Sequence, residues 1–136
     1  MKYLLDTNVV SDARKQNRPG LNAWISAQPR ADLAISVVVL LEIERGILRV
    51  ERRDPAAGEH LRAWLMSQVK PAFAGSILTI DDQVARSAAQ LHVPDPMPEM
   101  DALIAATALV HDLTLVTRNT KDFQHAGVSL LDTGTL

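Results

Sequence analysis

Tyr3-Leu4-Leu5-Asp6-Thr7-Asn8 decides how the rest of the chain is read. A short apolar run that stops on an acid reads as a buried parallel strand, with a carboxylate at the edge where open α/β sheets hold ligands. Asp6 is the organising residue. Thr7 and Asn8 supply a hydroxyl and an amide that can hold that carboxylate, a water or a metal, or simply cap the helix expected over Val9-Val10-Ser11-Asp12-Ala13-Arg14. A plain strand-to-helix turn with an Asx cap fits the same residues. The other acids of the chain decide between the two.

Outward from that stretch, helix and strand signals alternate. A turn at Gln16-Asn17-Arg18-Pro19-Gly20 leads to a helix over 21–27 with Trp24 and Ile25 inward, closed by Pro29. Leu33-Ala34-Ile35 reads as a second strand. Ser36 caps a long helix over 37–53, whose apolar Val39, Leu40, Ile43, Ile47 and Val50 recur every three or four residues while Glu42, Arg45, Arg49 and Arg53 follow another face. The β-branched Val37-Val38-Val39 would equally prolong the strand. Asp54-Pro55 breaks this helix, and a second one over 56–69 presents Leu61, Trp64, Leu65 and Met66 as its apolar stripe, so the two form a helical hairpin. A third strand is expected over 76–80, then a helix capped by Asp81-Asp82 and running to Leu91. Pro94, Pro96 and Pro98 enforce an extended link to a helix from Glu99 that is rich in small residues. A fourth strand over 113–117, a polar turn over 118–123 and a terminal strand over 128–131 complete the chain. This alternation predicts a three-layer α/β/α fold around a mainly parallel sheet of four to five strands.

The 136 residues suit one domain over 1–136, and 47% hydrophobic with 22% charged residues is ordinary for a chain that buries a real core. A formal net charge of -2 gives no global basic signal, so contact with nucleic acid would rest on a local patch or on phosphate bridged by metal. Without cysteine there is neither a disulfide framework nor a thiolate site. No run approaches the ~18 apolar residues of a membrane span, and the N-terminus lacks the pattern of a signal segment, which makes the cytoplasm the expected location. His60, His92, His111 and His125 lack a tight ligand spacing.

Glu42 interrupts an apolar run and is either the start of a polar face or an acid turned into a cleft. Asp101, in the first turn of its helix, either serves the helix dipole or stands at the edge of a packed face. Thr117-Arg118-Asn119 ends the fourth strand much as Asp6-Thr7-Asn8 ends the first, so Asp6, Asp101 and Asn119 converge on one edge of the sheet. Clustered carboxylates repel one another unless a cation lies among them, and an oxygen-only donor set suits Mg2+ or Mn2+.

Four stretches now resemble a known family in its own order: Leu4-Leu5-Asp6-Thr7-Asn8-Val9-Val10-Ser11, Glu42-Ile43-Glu44-Arg45-Gly46, Asp101-Ala102-Leu103-Ile104-Ala105-Ala106-Thr107-Ala108, and Leu115-Val116-Thr117-Arg118-Asn119-Thr120-Lys121-Asp122-Phe123. Each is weak alone, but together they are similar to the PIN domain, and within it to the VapC-like and FitB-like toxins of bacterial toxin-antitoxin pairs. The resemblance implies a Mg2+- or Mn2+-dependent ribonuclease that hydrolyses RNA phosphodiesters and is held inactive by a cognate antitoxin. It implies Asp6, Glu42 and Asp101 as acidic metal ligands, with Thr7, Asn8 and Thr117 supporting them. The fourth position usually carries an acid; here Asn119 stands there, with Asp122 three residues on as a substitute. It also implies a homodimer, and a larger assembly with an antitoxin that carries the DNA-binding part, since this chain has no DNA-binding motif of its own.

Arg14, Lys15, Arg18, Arg45, Arg49, Arg118 and Lys121 are candidate phosphate contacts near the acids, although an exposed solubilising charge is the more ordinary reading of each. Trp24, Trp64, Met66 and Phe73 read as core residues, although a Leu- and Trp-rich hairpin would also serve a dimer or an antitoxin segment. Two competing classes remain. One is a catalytically weak interaction protein acting within the antitoxin complex. The other is a Mg-dependent phosphatase of the haloacid-dehalogenase type, whose pattern wants an acid where Asn8 stands.

Overall fold

The computed structural model describes residues 1–136. Strand β1 (Tyr3–Leu5) lies at the centre of a five-stranded sheet of order β3-β2-β1-β4-β5, in which every neighbouring pair is parallel. Its partners are β2 (Leu33–Ser36) and β4 (Thr114–Thr117), while β3 (Ile77–Leu78) and β5 (Leu130–Asp132) form the edges. Because strands lie on both sides of β1, Leu4 and Leu5 are sealed from water, as the unbroken apolar reading required. The connections from β1 through β3 wind outward in one direction, and those from β3 through β5 cross back and wind the other way. Crossovers in two directions clothe both faces with helices, giving the expected three layers.

Local signals explain where each helix begins. The Asp6 carboxylate caps α1 (Thr7–Lys15) by accepting from the Thr7 N–H, and Ser36 caps α3 (Val37–Arg53) by accepting from the Val38 N–H. The valine triplet therefore belongs to the helix. Pro19 opens α2 (Pro19–Ala27), where the edge of Trp24 meets Tyr3 at 4.9 Å between ring centroids. Asp54 caps α4 (Pro55–Trp64), which forms the expected hairpin with α3. Arg62 bridges the two helices, reaching Glu44 and Glu51 at 2.9 and 2.8 Å.

Beyond Trp64 the chain widens into a π-helical turn, Leu65–Val69, before a last short turn, Lys70–Ala72. The widening resets the helical phase. Leu65, Val69 and Phe73 point into the core, whereas Met66, expected in the apolar stripe, is 53% exposed.

Gly58 lets α4 lie close against α3. A Cβ there would come within 2.9 Å of the Glu51 Cα and 3.0 Å of its backbone nitrogen. Gly58→Ala should therefore force the hairpin apart and cost about 1–3 kcal/mol, although alanine is the better helix former. Urea unfolding checks this; a stabilised variant would show that the two helices slide apart freely.

Asp81 caps α5 (Asp82–Leu91), which packs on α6 (Glu99–Val110) through a small cluster of Val84, Ala88, Ala102 and Ala106. Alanines on α6 let it approach both α5 and the sheet, with Ile104, Ala105 and Ala108 fully buried in the main core. Strand β3 is shorter than the run 76–80 suggested, because it has only β2 to pair with. After β4 the polar turn is a 3-10 segment, Thr120–Phe123, pinned by the buried Phe123. No helix is long and apolar enough to cross a membrane.

Candidate functional site

Where a sheet changes its winding direction, the crossovers on either side diverge and leave a crevice at the carboxyl ends of the strands. Here that point lies between β1 and β4, and Asp6 and Thr117 end those two strands. The Thr117 hydroxyl donates to Asp6 Oδ2 at 2.8 Å, and the Asn8 amide donates to the same oxygen at 3.0 Å. With the Thr7 N–H on Oδ1, a carboxylate only 5% exposed is held by three donors. Burial nevertheless raises the pKa of Asp6 above the ordinary carboxylate value. Glu42 repels its charge as well, while the hydrogen bonds from Thr117, Thr7 and Asn8 pull the other way.

Glu42 arrives from the second turn of α3 and accepts the Thr7 hydroxyl at 2.6 Å, so Thr7 links the first two acids. Of the two readings of Glu42, the structure selects the acid turned into the cleft. Asp101 arrives on the first turn of α6. Its pKa is pushed up to about 6, first by burial and then by the charges of Asp6, Asp122 and Glu42 in that order. Four carboxylates from four separate elements are therefore close enough to feel one another.

Asp122 joins this set from the 3-10 turn. Asn119 is exposed and contributes its backbone N–H to the Thr117 hydroxyl at 3.0 Å. As folded, no three acids or histidines already form a closed ligating group. The donor set itself is of oxygens only, carries mutual repulsion among its acids, and fits a hard divalent cation.

The basic candidates divide. Arg45 and Arg49 are exposed on α3, three and seven residues after Glu42, and Lys121 is exposed beside Asp122. Arg14 lies over the Trp64 ring at 5.8 Å, turned away from the acids. Arg18 donates to the Thr133 carbonyl at 2.6 Å. Sequence reasoning passed over Asp12, which is buried and accepts from Arg118 at 2.8 and 2.9 Å. The one available signal was its spacing of four residues from Asn8, which sets both on one face of α1.

On the opposite face of α1 lies a cavity of about 730 Å3, walled by Val10, Ile25, Trp64, Val69 and Phe73 and rimmed by Arg14. It is separate from the acids.

The sequence profile described as PIN domain matches residues 3–128. The chain belongs to the PIN domain family. Among its relatives, Toxin FitB of Neisseria gonorrhoeae is 34% identical over 136 residues, covering 95% of this chain and 96% of the relative. VapC ribonuclease Y4jK of Sinorhizobium fredii is 31% identical, covering 95% of each. Among solved structures, FitAcB from Neisseria gonorrhoeae superposes with a TM-score of 0.88 at 31% identity, over 98% of this chain and 99% of that one. A toxin-antitoxin complex from Klebsiella pneumoniae superposes with a TM-score of 0.69 at 28% identity, over 96% of each chain. This PIN domain is thus of the VapC/FitB toxin type, as the four sequence stretches implied.

Proposed function

We propose that this PIN domain, acting as one unit over residues 1–136, is a Mg2+- or Mn2+-dependent endoribonuclease toxin that a cognate antitoxin neutralises. The observation that carries the reading is the gathering of acids at the strand ends, where Thr7 links Asp6 to Glu42 through its N–H and its hydroxyl and the charges of both acids reach Asp101. Burial, Asp6, Asp122 and Glu42 together push Asp101 up to about 6, which is the state of a carboxylate cluster awaiting a counter-charge. The name of the ribonuclease relative from Sinorhizobium fredii supports the reaction class, and the Klebsiella toxin-antitoxin complex supports the partner.

In this reading Asp6, Glu42 and Asp101 hold the cation, and Asp122 faces it from the 3-10 turn in the place where the neutral Asn119 offers only an amide oxygen. Bound there, a divalent cation supplies Lewis acidity toward water and toward a phosphate oxygen. The chain supplies the rest. Thr117, Asn8 and the Thr7 N–H fix both oxygens of Asp6, so its carboxylate presents one orientation to the crevice. The Thr7 hydroxyl does the same for Glu42. Arg45, Arg49, Arg118 and Lys121 face the negative RNA backbone along the rim. We assign the apolar cavity beside Trp64 to an antitoxin segment, and the working assembly to a homodimer within a larger complex with antitoxin.

The charge of Asp122, which reaches Asp101 where Asn119 brings none, favours the enzyme over a catalytically weak interaction protein. The deciding experiment offers a panel of structured RNAs to the partner-free protein with Mg2+, Mn2+ or EDTA. Cleavage that requires metal supports the reading. Folded protein that binds neither ion and cuts nothing refutes it.

A further inference from the structure

Asp12 and Arg118 lie 106 residues apart in sequence, yet they form one of the best-defined polar contacts of the molecule. The Asp12 side chain is 7% exposed and buried against the end of β4, with Arg18 Nη1 3.8 Å away on the other side. Arg118 is half exposed and uses Nη1 alone for both hydrogen bonds, leaving Nε and Nη2 without a protein acceptor. A pair serving stability alone would enclose the guanidinium and engage its fork; here two donors remain free at the surface.

Position gives these donors meaning. Arg118 follows Thr117, whose hydroxyl holds Asp6, and the Arg118 N–H donates to Asn8 Oδ1 at 3.3 Å. One face of α1 therefore clasps the end of β4 twice. Asn8 holds its backbone, and one turn later Asp12 holds its arginine.

We propose that Asp12 is a positioning residue, which pins the Arg118 guanidinium beside the acidic crevice so that its free Nε and Nη2 clamp a phosphate of the RNA. This rests on the nuclease reading and deepens it. An arginine fixed before its ligand arrives loses little further rotamer freedom on binding, and its planar donor edge matches two phosphate oxygens. Asp12 lies further down α1, one turn beyond Asn8, and orients Arg118 without joining the three acids, Asp6, Asp122 and Glu42, whose charges raise Asp101.

The test compares wild type, Asp12→Asn, Arg118→Ala, Arg118→Lys and the Asp12→Asn/Arg118→Ala double variant, each checked for folding by thermal melt. With an RNA that the wild type cuts, Asp12→Asn and Arg118→Ala should each raise KM about tenfold while kcat stays within about twofold. The double variant should be no worse than Arg118→Ala, because Asp12 acts through that residue. Manganese affinity by calorimetry should not move. In EDTA, fluorescence anisotropy with a single-stranded RNA should show weaker binding for the same variants, with the salt slope lowered by about 0.7 in Arg118→Ala. Arg118→Lys should share the KM rise while retaining the slope. It carries the test should Asp12→Asn fail to fold.

An unchanged KM in folded Asp12→Asn, additive losses in the double variant, or a fall in manganese affinity would each overturn the proposal. If the wild type cuts nothing and binds neither metal ion, the nuclease reading fails by itself. The binding arm then still judges the pair, since equal RNA affinity in wild type and Asp12→Asn overturns it and a matched loss supports it.

Discussion

Asp101→Asn should abolish RNA cleavage, lowering kcat/KM by at least about a thousandfold, while making the metal-free protein more stable at neutral pH. The two effects share one cause. In the folded chain the Asp101 carboxyl titrates at about 6, against 3.8 for an ordinary aspartate. A raised acid holds its proton more tightly folded than unfolded, so folding takes up a proton between those two values. Stability of the metal-free protein therefore falls as pH rises through roughly 4 to 6, and the penalty is complete above 6. Asparagine is neutral and nearly the same shape, so it removes the penalty. Because Asp101 is only partly buried and water screens its neighbours, the gain at pH 7.5 is about 1 kcal/mol, a few degrees in Tm for a domain of this size. Melts at pH 4.5 and 7.5 in EDTA check this: the gap between variant and parent should open at the higher pH and close at the lower. Addition of Mn2+ should then raise the Tm of the parent and leave the variant unmoved. A variant that still cuts RNA at a tenth of the parental rate would remove Asp101 from the reaction.

Phe123→Ala should have the largest effect on stability among single changes near the site, about 3–5 kcal/mol. Phe123 is 1% exposed at the end of the 3-10 turn and belongs to the main core, so its removal leaves a cavity as well as losing apolar burial. Asp122 precedes it, and the ring is what keeps that acid near Asp101. Phe123→Leu, which keeps most of the volume, should cost roughly 1–1.5 kcal/mol. Guanidinium or urea unfolding measures both. Equal losses in the two variants would mean that the turn is held by its backbone rather than by the ring.

How much of this was legible before the structure varies with the range of the interaction. Asp6 was legible because its signal is local: an apolar strand, an acid at its end and a cap for the next helix lie within six residues. Ser36 and Asp81 were found for the same reason. The convergence of the strand ends followed from the alternation of strands and helices, which predicts a parallel sheet and so gathers polar residues at one edge. Met66 was misread because a π turn breaks the 3.6-residue period on which its inward placement depended. Strand β3 was overextended because β-branched and apolar residues mark a strand without saying how many neighbours it will have. Asp12 was invisible as more than a helix residue. A buried ion pair between distant segments leaves no periodicity in either, and only the folded sheet brings Arg118 over α1.

The placement of β1 between β2 and β4 also orders events in time. β1 can pair with β2 once some thirty-six residues exist, yet Asp6 stays open on its other side until Thr117 is in place. A chain emerging from the ribosome at about 5–20 residues per second thus makes its first acid near the start and its last supports more than a hundred residues later. Loop closure over that separation defers the pocket further, since the entropy of joining distant ends must be overcome before β4 can dock. Unfinished chains therefore carry Asp6 with its local donors from Thr7 and Asn8 but without the Thr117 hydroxyl or the Asp101 and Asp122 charges, and a nuclease harmful to its own host would be unarmed until β4 docks.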